Sequence, residues 1–156
     1  MLHIADERLV VLVMLGKKIT HRFPAQYKPI SGEITSPKIA VGKKHFIYTE
    51  APFGSYGDPR KEPLARVIIT SVFSQPLCDI TEEDVREEGF ASVAAFTTYW
   101  NRVWFNRALK AQNHPYHPTW VIRFKLDEVL PKGNKLLLDF KKKREKPSDL
   151  PLPNKK

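Results

Sequence analysis

The stretch Ile80–Trp100, ITEEDVREEGFASVAAFTTYW, decides how the chain is read. It contains two helix starts with a break between them. Thr81 is placed to cap a first, mostly charged helix, with Asp84 at the capping-box position three residues on. Gly89 stops that helix, and Ser92 is placed to cap the next. The second helix carries Val93, Phe96, Trp100 and Val103 at helical spacing, so one of its faces is apolar. At the break stands Glu88, followed by Gly89 and Phe90. A carboxylate at a helix end beside a glycine and an aromatic is either a solvated surface charge or a placed functional group.

Upstream of this segment, Leu64–Phe73 (LARVIITSVF) is the strongest strand signal. It is near-continuously apolar and rich in β-branched residues, as a central strand is. Downstream, Thr119–Leu126 (TWVIRFKL) alternates and predicts a strand with one buried face. Lys135–Phe140 reads as a last strand after a turn over Pro131–Asn134. Near the N-terminus, Leu9–Leu15 reads as a helix that Asp6 caps and Gly16 ends. The run is too short to span a bilayer, and the acidic Asp6 and Glu7 before it do not suit a signal peptide. Lys17–Phe23 (KKITHRF) follows as a short strand, and Lys38–Thr49 as a hairpin or bulged strand around Gly42. Two Gly/Pro-rich loops, 24–37 and 51–63, separate these elements, and Asn113–Pro118 forms a further turn. Short strands joined by such loops, without a βαβ rhythm, predict an α+β fold: a small, mainly antiparallel β-barrel with helices packed around it.

At 156 residues, 42% hydrophobic and 28% charged, the chain has the composition of one globular domain. Its single cysteine, Cys78, leaves no disulfide framework and no cysteine-based zinc site, and suits a cytoplasmic setting. The formal net charge is +9, and Lys141–Lys156, with seven basic and two acidic residues, carries five of those charges. Residues 1–140 therefore read as the domain and 141–156 as a basic, disordered tail that attracts polyanions without sequence preference.

Lys18, Thr20 and Arg22 share one strand face by alternation, and a bulge near the helix exit would bring Lys17 beside Thr20. Such a cationic, hydroxyl-bearing face suits a phosphate or a developing oxyanion; the alternative is an ordinary exposed strand. The histidines have no metal-ligand spacing, there is no glycine-rich phosphate loop, and no cofactor is called for. Trp100 and Trp104 share a helix face, and Trp120 opens a strand. Each serves either core packing or a stacking wall for a nucleobase.

Taken together, GKKITHR, ARVIITSV, DITEEDVREEGFASVAAFTTYW and TWVIRFKL resemble an ASCH domain over about Gly16–Leu126. ASCH domains belong to the PUA-like superfamily of small β-barrels. The resemblance implies a cleft between the Lys/Thr strand and the glutamate before Gly-Phe, here Lys17, Lys18, Thr20, Arg22 and Glu88. Some small bacterial ASCH proteins are amidohydrolases that remove the acetyl group of 4-acetylcytidine with a Lys, a Thr three residues later and a Glu. The resemblance thus implies Lys17 as base, Thr20 as nucleophile and Glu88 as acid or orienter. Lys18, Arg22, Trp100 and Trp120 would line the ligand. It departs from the usual pattern in that Gly16 directly precedes Lys17, which leaves Lys17 or Lys18 as the functional amine. Other relatives bind RNA, and ribonuclease activity has been proposed for some. The expected partner is RNA or a nucleoside, without metal or membrane.

Overall fold

A computed structural model describes residues 2–4, 6–25, 31, 33–49, 62–105 and 118–145. The tail beyond residue 145, most of the 51–63 loop, His114 and His117 lie outside them. Five strands, β1 (Leu2–Ile4), β2 (Thr20–Pro24), β3 (Lys44–Thr49), β4 (Ala65–Pro76) and β5 (Pro118–Val129), form one sheet in the order β1-β3-β4-β5-β2. All neighbours pair antiparallel except β1 with β3. The α+β class holds. Among the described residues, however, the sheet is open, with β1 and β2 at its edges.

Helix α1 (Glu7–Met14) starts where Asp6 accepts a hydrogen bond from the Arg8 amide. It buries Leu9, Val10, Val11, Val13 and Met14 against Ile47, Val67, Ile69, Ile122 and Phe124 of the sheet. This is the main core. Gly42 sits at φ +83 in the turn before β3, where the Lys43 amide donates to the Ala40 carbonyl at 3.2 Å.

The segment expected as a strand over Lys135–Phe140 is instead inside α4 (Pro131–Glu145). Leu136, Leu137 and Phe140 recur at helical spacing and pack on the main core. Pro131 stands at the first helical position, where its missing N–H is not needed. The helix also carries residues 141–145, so the first part of the expected tail is helical. Gly133 lets α4 approach the Leu64 carbonyl and the Met14 sulfur, which a side chain would meet.

The two long central strands, β4 and β5, each contain one extra residue. Arg66 pairs with Glu128 and Val67 with Leu126, so Asp127 is the extra residue of β5. Ile69 pairs with Phe124 and Ser71 with Arg123, so Thr70 is the extra residue of β4. Such a bulge shifts the alternation of one strand by one residue. Val67 and Ile69 therefore face the α1 core, whereas Ser71, Phe73 and Gln75 face the other side, level with Arg123, Val121 and Thr119. The second side is covered by α2 (Glu82–Glu87) and α3 (Val93–Trp100), which share a smaller core of Val85, Phe96 and Trp100.

Candidate active site

The helix break expected at Gly89 is present, and it sets the site. Thr81 and Asp84 form the reciprocal capping box, and Ser92 caps α3 through the Ala95 amide. Between the helices Glu88 ends α2 and Gly89 turns at φ +94. A side chain at Gly89 would lie 2.9 Å from Leu12 Cδ1 and 3.3 Å from Leu9 Cδ2, so the break is seated directly on α1. The Ile19 amide donates to the Glu87 carbonyl at 2.8 Å, which ties the end of α2 to the start of β2. Glu88 is thereby turned inward and is 2% exposed.

On the facing strand alternation decides which side chains enter. Lys18, Thr20 and Arg22 are buried, whereas Lys17 and Ile19 are exposed. The β2–β5 ladder begins at Thr20 and runs without a register shift, and Lys17, before it, stays exposed rather than turning in beside Thr20. The structure brings Lys18, Thr20, Arg22 and Glu88 together and leaves Lys17 outside.

Four groups meet there. Lys18 Nζ donates to the Thr20 carbonyl at 2.6 Å and to the Glu88 carbonyl at 2.9 Å. Arg22 Nε lies 3.3 Å from Glu88 Oε1, with both side chains almost wholly buried. Its other nitrogens donate to Thr119 Oγ1 at 2.7 Å and Gln75 Oε1 at 2.8 Å. Gln75 Nε2 reaches the Asp79 carbonyl at 3.3 Å and Asp84 Oδ2 at 3.5 Å, so the capping box of α2 and the guanidinium belong to one network. Thr20 Oγ1 is buried and, among the described residues, makes no hydrogen bond.

Burial lowers Lys18 to a pKa of about 8, the pull of Glu88 upward only partly offsetting it, and Arg22 adds to the lowering. Burial pushes the Glu88 carboxyl above its ordinary value, against the opposing charges of Lys18 and Arg22. An amine that loses its proton near neutrality, a carboxyl that gains one more readily and an unpartnered hydroxyl can serve proton transfer and nucleophilic attack. Among the described residues no group of three His, Cys, Asp or Glu could hold a metal ion.

The two tryptophans expected to line the ligand stand elsewhere. Trp100 is 2% exposed and stacks between Phe96 and Trp104, at ring-centre distances of 5.7 and 5.9 Å. Trp120 pairs with Phe23 and so points to the face opposite Arg22; its Nε1 donates to the Thr35 carbonyl at 3.0 Å. Core packing and strand alternation, respectively, account for both. Thr119 and Gln75, which clamp Arg22, were not foreseen. The alternation of TWVIRFKL groups Thr119 with Val121 and Arg123, but only the strand register sets that face beside Arg22.

Solved structures share this fold. An ASCH domain from Lactobacillus crispatus JV V101 matches at a TM-score of 0.56 and 18% identity, over 79% of this chain and 75% of that one. A DUF984 protein from Enterococcus faecalis V583 matches at a TM-score of 0.53 and 20% identity, over 80% of this chain and 72% of that one. No family model and no curated protein matches the chain. The fold is that of an ASCH domain, as the motifs of the sequence implied. No helix among the described residues is long and apolar enough to cross a membrane.

Proposed function

We propose that this chain binds a nucleobase in the Lys18–Thr20–Arg22–Glu88 site of a PUA-like fold and removes an acyl group from the exocyclic nitrogen of a cytidine-like base. One observation carries this reading: the buried Thr20 hydroxyl has no partner and stands two residues from a lysine held near pKa 8. A neutral Lys18 takes the Thr20 proton as Oγ1 attacks the acyl carbonyl carbon. The C–N bond then breaks, and Glu88, in its protonated form, supplies the proton to the departing amine. Water hydrolyses the resulting Thr20 ester and restores both groups, so that amide and water become acid and amine. Arg22 holds Glu88 in place. Lys18 takes the role that the ASCH resemblance gives to Lys17, because its amine is the buried one of the two.

The test is deacetylation of 4-acetylcytidine by the purified protein. Turnover is expected in the parent and in Lys17→Met, and is expected to be lost in Thr20→Ala, Glu88→Gln and Lys18→Met. A parent without turnover on 4-acetylcytidine, either free or within an RNA oligomer, refutes the hydrolase.

A second reading, a non-catalytic RNA-binding module, is favoured by the Lys18 amine, which already donates to two carbonyls. Glu88 would then accept from a cytosine amine, and the basic C-terminal residues would follow phosphates. Residues 146–156 hold three lysines. Their removal is expected to lower the slope of log affinity against log salt by about 2 units, at ~0.7 per phosphate contact on a single strand. Intact RNA after incubation separates this reading from a ribonuclease.

A further inference from the structure

A cleft of about 420 Å³ between the start of α1 and α3 takes no part in the site above. Its walls include Arg8, Gly89, Phe90, Ala95, Tyr99 and Arg102. Gly89 is the shared wall. A methyl group on it would lie 3.7 Å from Lys18 Cβ, so one residue of backbone separates the cleft from the buried constellation. Phe90 and Tyr99, with ring centres 5.0 Å apart, supply an aromatic wall. The Arg102 guanidinium stands 5.7 Å from the Tyr99 ring centre, and the Arg8 side chain is 76% exposed. The one carboxylate in the lining, Asp6, already accepts from Arg8 at 2.8 and 3.3 Å. Arg8 and Asp6 thus satisfy each other, and an arriving anion meets the Arg102 guanidinium beside that ion pair, a net charge of one positive.

We propose that this cleft holds the nucleotide adjacent to the one whose base enters the Lys18–Thr20–Arg22–Glu88 site, so that the ligand is a single-stranded RNA segment rather than a free nucleoside. The inference rests on the nucleobase reading of that site. An aromatic wall accepts any base by stacking, and the Arg102 guanidinium at the rim donates to the linking phosphate, without sequence preference. A free nucleoside fills the buried site alone and leaves these groups to solvent. A strand uses both, because the absence of a side chain at Gly89 keeps the two compartments close.

The experiment compares a labelled octamer of oligocytidylate, by fluorescence anisotropy, with free cytidine, by calorimetry, at one fixed salt concentration. Two variants alter the cleft at exposed positions: Ala95→Trp fills it, and Arg102→Glu reverses a rim charge. Circular dichroism confirms that each folds. The parent is expected to bind the octamer about tenfold or more tighter than cytidine. Each variant is expected to lose about fivefold to 100-fold of octamer affinity, the range of one stacked base, and to hold cytidine within about twofold. Octamer affinity unchanged in both variants, or an equal loss for cytidine, overturns the proposal. A parent that binds cytidine and the octamer equally removes the cleft from the mechanism and leaves the nucleobase site standing. A parent that binds neither removes both.

Discussion

Replacing Gly89 by alanine tests how the carboxylate is aimed. Two separate effects are expected. The backbone at Gly89 has φ +94, where an L side chain is strained by about 1–2 kcal/mol. The new methyl group also meets Leu12 Cδ1 at 2.9 Å and Leu9 Cδ2 at 3.3 Å. Those are the ends of flexible side chains on a helix that is itself packed on the sheet. Pushing them aside is an overpacking change, typically about 1–3 kcal/mol. The sum is about 2–5 kcal/mol. Gly42 and Gly16 provide the control: they have φ +83 and +72, but a methyl group at either meets no atom within 4 Å. Gly42→Ala and Gly16→Ala are therefore expected to show the backbone effect alone, about 1–2 kcal/mol. Urea unfolding of the three variants beside the parent, with slopes compared, measures each difference. In a thermal scan each kcal/mol corresponds to about 2–4 °C for a chain of this length. If Gly89→Ala is no more destabilising than Gly42→Ala, the seating of the break on α1 is refuted. If all three are neutral, the backbone reasoning fails as well.

Two further outcomes follow from the same geometry. The folded Lys18 pKa of about 8 lies below its ordinary 10.5, so between those values the unfolded chain binds the extra proton. The Lys18 contribution to stability therefore rises with pH across that window and is flat below it. Hydrolysis, if Lys18 is the base, rises through about pH 8 as well; Lys18→Met flattens the stability rise, and a turnover profile that falls through pH 8 contradicts the assignment. In the capping box, Thr81→Ala is expected to cost about 1 kcal/mol. Because Thr81 and Asp84 exchange two bonds, the double variant with Asp84→Ala is expected to cost less than the two singles combined; strict additivity in a denaturation cycle refutes that coupling.

What the sequence reveals here is mostly what local chemistry controls. Asp6, Thr81 with Asp84, and Ser92 are all caps in the structure, because each acts within three residues of itself. Alternation alone groups Lys18, Thr20 and Arg22, since a strand has period two. The resemblance set Glu88 opposite them, which spacing by itself leaves open. The partners of Arg22 were not legible, because Gln75 and Thr119 reach it only through the registers of two ladders. Strand β1 has three residues and no pattern to read. In α4 the six residues Lys135–Phe140 fit a strand as well as a helix, and packing on α1 decides between them. The tryptophans show the same limit: a large ring announces burial or contact but not which face it takes.

The extra residue in β4 also fixes where the chain tolerates a change of length. Thr70 is exposed, and on side-chain contacts it looks expendable. Deleting it would place Ser71 directly after Ile69, and plain alternation would then turn Ser71 to the side it already faces, level with Arg123. Val72 would stay opposite Ile122, and Gln75, which holds Arg22 at 2.8 Å, would stay level with Thr119. A one-residue deletion at Thr70 is therefore expected to make the ladder regular and to be tolerated like a point substitution there, so in variants of this chain that position is free in count as well as in letter.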